Sequence, residues 1–184
     1  RVKTSSVAIR KLISSKAFGT WHEKVAIAFN NLGRFYKAIG DSAEAENAYR
    51  MALKILLKIL GPQHPHITAP LLNLATLYAE AGFLDRSLLS FKEALRVDET
   101  LIEHVMGFTS EEQKIMFIAT KQEGLDGFLS LVIQHLVDDP SARIDALDVW
   151  LRRKGVILEA QRRFQEALVY SDDPQVLKTF QALS

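Results

Sequence analysis

At 184 residues with 48% apolar content, the chain can bury a real core as one domain or one compact array, which excludes a disordered segment. Its 23 basic and 22 acidic residues leave a net charge of +1, so no electrostatic pull toward nucleic acid is visible. Cysteine is absent, which removes disulfides, thiolate metal ligands and cysteine nucleophiles together, and no run approaches the roughly 20 apolar residues that span a bilayer.

The chain opens at Arg1 without a Met or secretory leader and stops at FQALS without a capping signal. It therefore reads as a piece of a longer, cytoplasmic protein. Residues 1–21 read either as the end of a preceding repeat or as a plain cap helix. In favour of the first, a shift of 42 places Gly19 on Gly61 and His22 on His64, so FGTWHEKV parallels LGPQHPHI.

From His22 to Ile39 apolar residues recur at three- and four-residue spacing, which predicts an amphipathic helix. Gly40 and Asp41 break it, and Ser42 is the expected cap of a second helix running to Leu60, where Gly61 and Pro62 end it. A third helix starts near Ala69, with Pro70 in its first turns, where the missing donor costs least. Gly82 marks the next turn, and a fourth helix extends past Val97 toward His104.

These four helices say nearly the same thing twice. At a shift of 42, Leu32 meets Leu74, Gly33 meets Ala75, Tyr36 meets Tyr78 and Gly40 meets Gly82. On the second helix of each pair, Tyr49 meets Phe91, Ala52 meets Ala94 and Leu53 meets Leu95. A fixed period of this size marks a helical solenoid, in which no single copy can bury its apolar face alone.

After Met106 the repetition stops. FTSEEQ predicts a helix start capped by Ser110 with Gln113 as capping-box partner, ending near Gln122 and closed by Gly124. An apolar helix from Asp126 to Val137 follows, then a break at DDPSA. From Ala142 to Tyr170 only Gly155 interrupts helical periodicity, which favours one long helix over a third repeat turning at Gly155. A last short helix begins after Asp172, Asp173 and Pro174.

Residues 22–104 resemble the tetratricopeptide repeat family. The first copy supplies Phe29, Leu32, Gly33, Tyr36, Ala45, Tyr49 and Ala52 at the family's positions, and the second supplies Leu71, Leu74, Ala75, Tyr78, Ser87, Phe91 and Ala94. The usual repeat is 34 residues. The extra length falls in KILLKILGPQHPHI, and such a linker looks like the longer repeats of kinesin light chains and of many bacterial signalling proteins. Residues 105–184 resemble the helical connector that joins such repeats to a CHAT domain, a caspase-like module of bacterial proteins; VWLRRKGVILEA is the most telling piece. In that family a His and a Cys further toward the C-terminus do the chemistry, and this chain has no Cys. The resemblance thus implies an all-α fold: a tetratricopeptide-like α-α superhelix followed by a helical connector.

Candidate chemistry is sparse. His64 and His66 form a His-x-His on one loop, but no third ligand is adjacent, so no metal is expected. His104 and His135 stand alone, with no acid–base partner at motif spacing, and there is no Gly-rich phosphate loop. Arg152, Arg153 and Lys154 read as a solvated helix face, with Asp148 and Glu159 nearby. No catalytic residue and no cofactor are therefore expected.

On the repeat template, Asn30, Arg34 and Lys37 from the first copy and Leu72, Thr76 and Glu80 from the second point into the groove of the leading helices. These amide and cationic groups suit a protein or peptide partner with acidic character. Family members that grip C-terminal carboxylates have Asn where Arg34 and Thr76 stand here, and Glu80 is placed to neutralise Lys37. The expected function is a protein–protein interaction module of a larger bacterial signalling protein. The alternative is the non-catalytic regulatory part of a CHAT-type peptidase.

Overall fold

A computed structural model describes residues 21–106 and 111–169. They form seven α-helices and one short 3-10 turn, with no strand among the described residues: α1 (Glu23–Ala38), α2 (Ser42–Leu60), the turn Pro65–Ile67, α3 (Thr68–Glu80), α4 (Leu84–Met106), α5 (Glu111–Ala119), α6 (Gln122–His135) and α7 (Pro140–Val169). The chain divides into two compact units, Arg1–Leu101 and Ile102–Ser184.

In the first unit α1 is helical because Val25, Ala26, Phe29, Gly33 and Tyr36 fall on one buried stripe. Gly40 ends this helix at φ 80°, the left-handed conformation a side chain disfavours. That twist lets Asp41 N donate to Tyr36 O at 2.9 Å and Gly40 N donate to Lys37 O at 3.0 Å, which satisfies two terminal carbonyls. The second pair ends its leading helix in the same way: Phe83 N donates to Tyr78 O and Gly82 N to Ala79 O. There the Phe83 ring also packs edge-on against Tyr78, with centroids 6.5 Å apart.

Helix α2 corrects one expectation. Ser42 is its first residue rather than its cap, and the cap is Asp41, whose carboxylate accepts from Glu44 N at 3.2 Å. An anion facing the helix N-terminus gains from the dipole as well as from the hydrogen bond, so the residue one place earlier wins. The linker turns on His64, whose Nδ1 accepts from His66 N. The His66 imidazole reaches Glu23 at 2.6 Å, which leaves the pair engaged within the protein.

Two apolar clusters hold this unit together. Val25, Phe29, Ile55, Leu56, Ile67, Leu71, Ala94 and Val97 build one. Tyr36, Ala45, Ala48, Tyr49, Leu74, Leu77 and Tyr78 build the other. Tyr36, Tyr78 and Phe91 are all buried, as the repeat frame requires. Ser87 occupies the place of Ala45 in the second copy, and its hydroxyl is satisfied by the Ala75 carbonyl at 2.8 Å.

The second unit buries Ile118, Leu125, Phe128, Leu131, Val132, Ala142 and Ala146. Helix α7 runs unbroken through Gly155, as expected of one long helix. Its other side exposes Ile144, Leu147, Leu151 and Leu158.

Three expectations change here. Helix α5 stops at Ala119 rather than near Gln122, because Thr120 Oγ1 caps Phe117 O and tight bonds from Thr120 and Lys121 turn the chain. The next helix therefore starts at Gln122, and Gly124 lies inside it, buried, instead of closing the previous one. Arg153 is buried rather than solvated, its Nη1 donating to the Lys121 carbonyl at 3.5 Å, while Arg152 pairs with Asp148 and Lys154 sits over Trp150. The Ser110 cap, the segment 1–20 and the helix expected after Pro174 lie outside the described residues.

Candidate partner-binding site

The face that α1 shares with α3 is tied together by polar side chains. Asn73 Nδ2 donates to Asn30 Oδ1 at 2.9 Å, and Lys37 Nζ meets Glu80 Oε1 at 2.8 Å. Both links join one repeat to the next, so they fix the spacing of the leading helices as well as the charge between them. The Lys37–Glu80 bridge is partly exposed, which keeps its strength in the range of about 0–1 kcal/mol and leaves it open to competition.

The six expected residues behave differently from one another. Arg34 is exposed and makes no ion pair or side-chain hydrogen bond among the described residues. Lys37 and Glu80 neutralise each other, and Asn30 is held by Asn73. Thr76 turns its hydroxyl back onto the Leu72 carbonyl at 2.9 Å. Leu72 itself packs against the core. The face therefore presents one unengaged cation, one cation held by a weak bridge, and an amide pair.

Beneath it lies Tyr49, which is fully buried. Its ring rests on Gly33, one turn before Lys37, and its hydroxyl has no hydrogen-bond partner among the described residues. Burial pushes the phenol above its ordinary 10.0; Arg34 opposes that shift and Glu80 adds to it, so both groove charges act on this ring. Neither Tyr49 nor Asn73 was singled out as a groove residue from the sequence. The contrast of Tyr49 with Phe91, and of Asn73 one place beyond the Leu72 chosen by the template, is the signal that marks them.

A second surface was also missed. On the outer side of α2, Arg50, Leu53, Lys54, Leu57 and Lys58 line an open trough of about 430 Å³. Its signal is the row Arg50, Lys54, Lys58 at four-residue spacing, with leucines between. Arg50 is engaged by Glu46 at 3.2 Å, and Lys58 lies 3.5 Å from the centre of the Trp21 ring.

Among the described residues no group of three or more His, Asp or Glu could hold a metal ion, and no helix is long and apolar enough to cross a membrane. Among curated proteins none matches the chain. A solved structure, BtubC (BKLC) from P. vanneervenii, is similar at 19% identity and a TM-score of 0.49. The likeness covers 84% of this chain, which spans 52% of that one. The segment 24–100, which takes in α1 to α3 and most of α4, matches the Tetratricopeptide repeat family, whose repeats generally mediate protein–protein interaction and are non-catalytic scaffolds.

Proposed function

We propose that this chain is a protein–protein interaction module that holds an extended or helical acidic peptide on the face shared by α1 and α3. The observation that supports the reading most is Arg34, an exposed guanidinium with no partner among the described residues, three residues from Lys37 on the same helix side. A guanidinium so placed receives a carboxylate by two parallel hydrogen bonds. Asn30 and Asn73 add amide groups suited to a peptide backbone.

In this reading the chain performs no catalysis and needs no cofactor. It serves as the sensing or scaffold arm of a larger bacterial signalling protein of the cytoplasm. The second unit is the connector to a CHAT-type module, a reading that rests on the resemblance of residues 105–184, and of Val149–Ala160 above all. Whether the whole protein is a peptidase turns on a His and Cys beyond Ser184.

The test is a pull-down with the full chain, followed by titration calorimetry of the captured partner with wild type and Arg34→Ala at two salt concentrations. Arg34→Ala weakens binding by about 1.5–3 kcal/mol, the range for a hydrogen bond to a charged group. Affinity falls with salt. Equal affinity in all four titrations removes the site from this face.

A further inference from the structure

Tyr49 presents a physical oddity that packing does not account for. The second repeat places Phe91 at the equivalent position and buries it just as well, without a hydroxyl. The first repeat keeps a hydroxyl, buries it completely, and leaves it with no hydrogen bond among the described residues. A buried hydroxyl without a partner costs about 1–3 kcal/mol, so its presence within the field of Arg34 and Glu80 asks for an occasional partner. The cations of the first repeat, Arg34 and Lys37, correspond to Thr76 and Ala79 in the second. Hydroxyl and cations thus occur together in one copy and are absent together from the other.

Position links them. The Tyr49 ring lies against Gly33, so close that a Cβ there would meet ring carbons at 2.5 Å. Arg34 is the next residue, and Lys37 stands one turn beyond Gly33 on the same side. Glu80 comes from α3 to close the set, with its carboxylate on Lys37 at 2.8 Å.

We infer that Arg34, Lys37 and the Tyr49 hydroxyl form a latent carboxylate-binding site, and that Glu80 is its built-in competitor. A glutamate or aspartate side chain of a bound peptide takes the place of Glu80 on Lys37, accepts from Arg34, and accepts the hydroxyl proton of Tyr49 as a hydrogen bond. No covalent bond changes. The Lys37–Glu80 bridge then acts as a cover: an anionic side chain opens it, and a neutral one leaves it shut. This site rests on the acidic-peptide reading above and refines it, because it says which groups receive the anion and what must be displaced.

The test uses the full chain and two blocked twelve-residue peptides, one alternating alanine or leucine with glutamate, the other its glutamine twin, read by fluorescence anisotropy. Four variants are compared: Glu80→Gln, Tyr49→Phe, Arg34→Ala, and Glu93→Gln as a charge-matched control away from the face. The acidic peptide binds more tightly than its twin. Glu80→Gln tightens the acidic peptide about fivefold, the upper range of an exposed bridge, and more than Glu93→Gln does. Tyr49→Phe weakens it about tenfold, leaves the twin unchanged, and holds or raises the thermal midpoint, whereas a purely structural role would lower it. Wild-type affinity in Tyr49→Phe, or equal tightening in Glu80→Gln and Glu93→Gln, overturns the site. If Arg34→Ala alone weakens binding, the face stands and this site falls. If the acidic peptide binds neither wild type nor Glu80→Gln, both fall.

Discussion

The Tyr49 ring occupies the space that a side chain at Gly33 would need: an added Cβ would meet two ring carbons at 2.5 Å and a third at 3.0 Å. This contact sets how closely α1 and α2 approach, and it explains why the first repeat needs glycine there. Gly33→Ala should gain up to about 1 kcal/mol of helix propensity but force the aromatic ring out of its place, which costs about 1–3 kcal/mol. The expected net result is a lower thermal midpoint, by chemical or thermal melting of the full chain. In the second repeat the same position is already Ala75, so Ala75→Gly should lose about 1 kcal/mol through propensity with no relief of strain.

Burial separates residues that look alike in the sequence. Phe91 is 4% exposed, so Phe91→Ala should cost about 3–5 kcal/mol. Leu147 and Leu151 are also large and apolar, yet they stand 57% and 52% exposed on α7, and glutamine at either should change stability by less than about 0.5 kcal/mol. Urea unfolding followed by circular dichroism measures all three. An unmoved midpoint for Phe91→Ala would mean the repeat frame is misplaced.

Alkaline pH should destabilise the repeats through their buried tyrosines. Burial holds the phenols of Tyr49 and Tyr78 above 10.0, and for Tyr78 the hydrogen bond to Glu46 at 2.8 Å adds to the shift. The unfolded chain ionises near 10 and the folded one only higher, so this stability is complete below about pH 10 and is lost as pH rises through the folded values. Melting at a series of pH values should show that decline, reduced in Tyr49→Phe. A flat profile from pH 9 to 12 would contradict it.

Acid should act on α7 instead. Arg162 and Arg163 hydrogen-bond the Glu159 carboxylate and hold it down from 4.5 to about 2. A depressed carboxylate contributes stability that is present above about pH 4.5 and lost as pH falls toward 2. Glu159 is partly exposed, so salt should move its titration back toward the ordinary value. Side-chain carbon chemical shifts followed from pH 6 to 1.5, at low and high salt, check both statements.

The helical fold was legible because the pattern that carries it is redundant: two copies repeat Leu, Gly or Ala, Tyr and the paired Ala residues at one spacing, and Gly40 and Gly82 punctuate both. Helix ends were less legible where single residues compete. Asp41 displaced Ser42 as a cap, and a threonine and tight turns stopped α5 where a glycine was expected. The buried position of Arg153 follows from tertiary packing, which charge patterning along a helix does not encode. For the candidate face the sequence supplies a set of positions, and the fold adds how each side chain is engaged. A template places Lys37 and Arg34 on one side with Glu80 opposite Lys37, and the fold shows that Lys37 is held by Glu80 while Arg34 has no such partner among the described residues. The orphaned Tyr49 hydroxyl was beyond reach of the sequence, because satisfaction of a buried group depends on what surrounds it.

The central claim is that an acidic partner sits on the face between α1 and α3, and the outer trough on α2 is the rival surface. Nitrogen-15 labelled full chain titrated with the glutamate peptide tests it directly, because each surface reports through its own amides and side chains. Shifts concentrated at Asn30, Arg34, Lys37, Asn73 and Glu80, with the Tyr49 amide moving and the glutamine twin silent, are the predicted result. Shifts concentrated at Arg50, Lys54 and Lys58, with Arg34 unmoved, would contradict it.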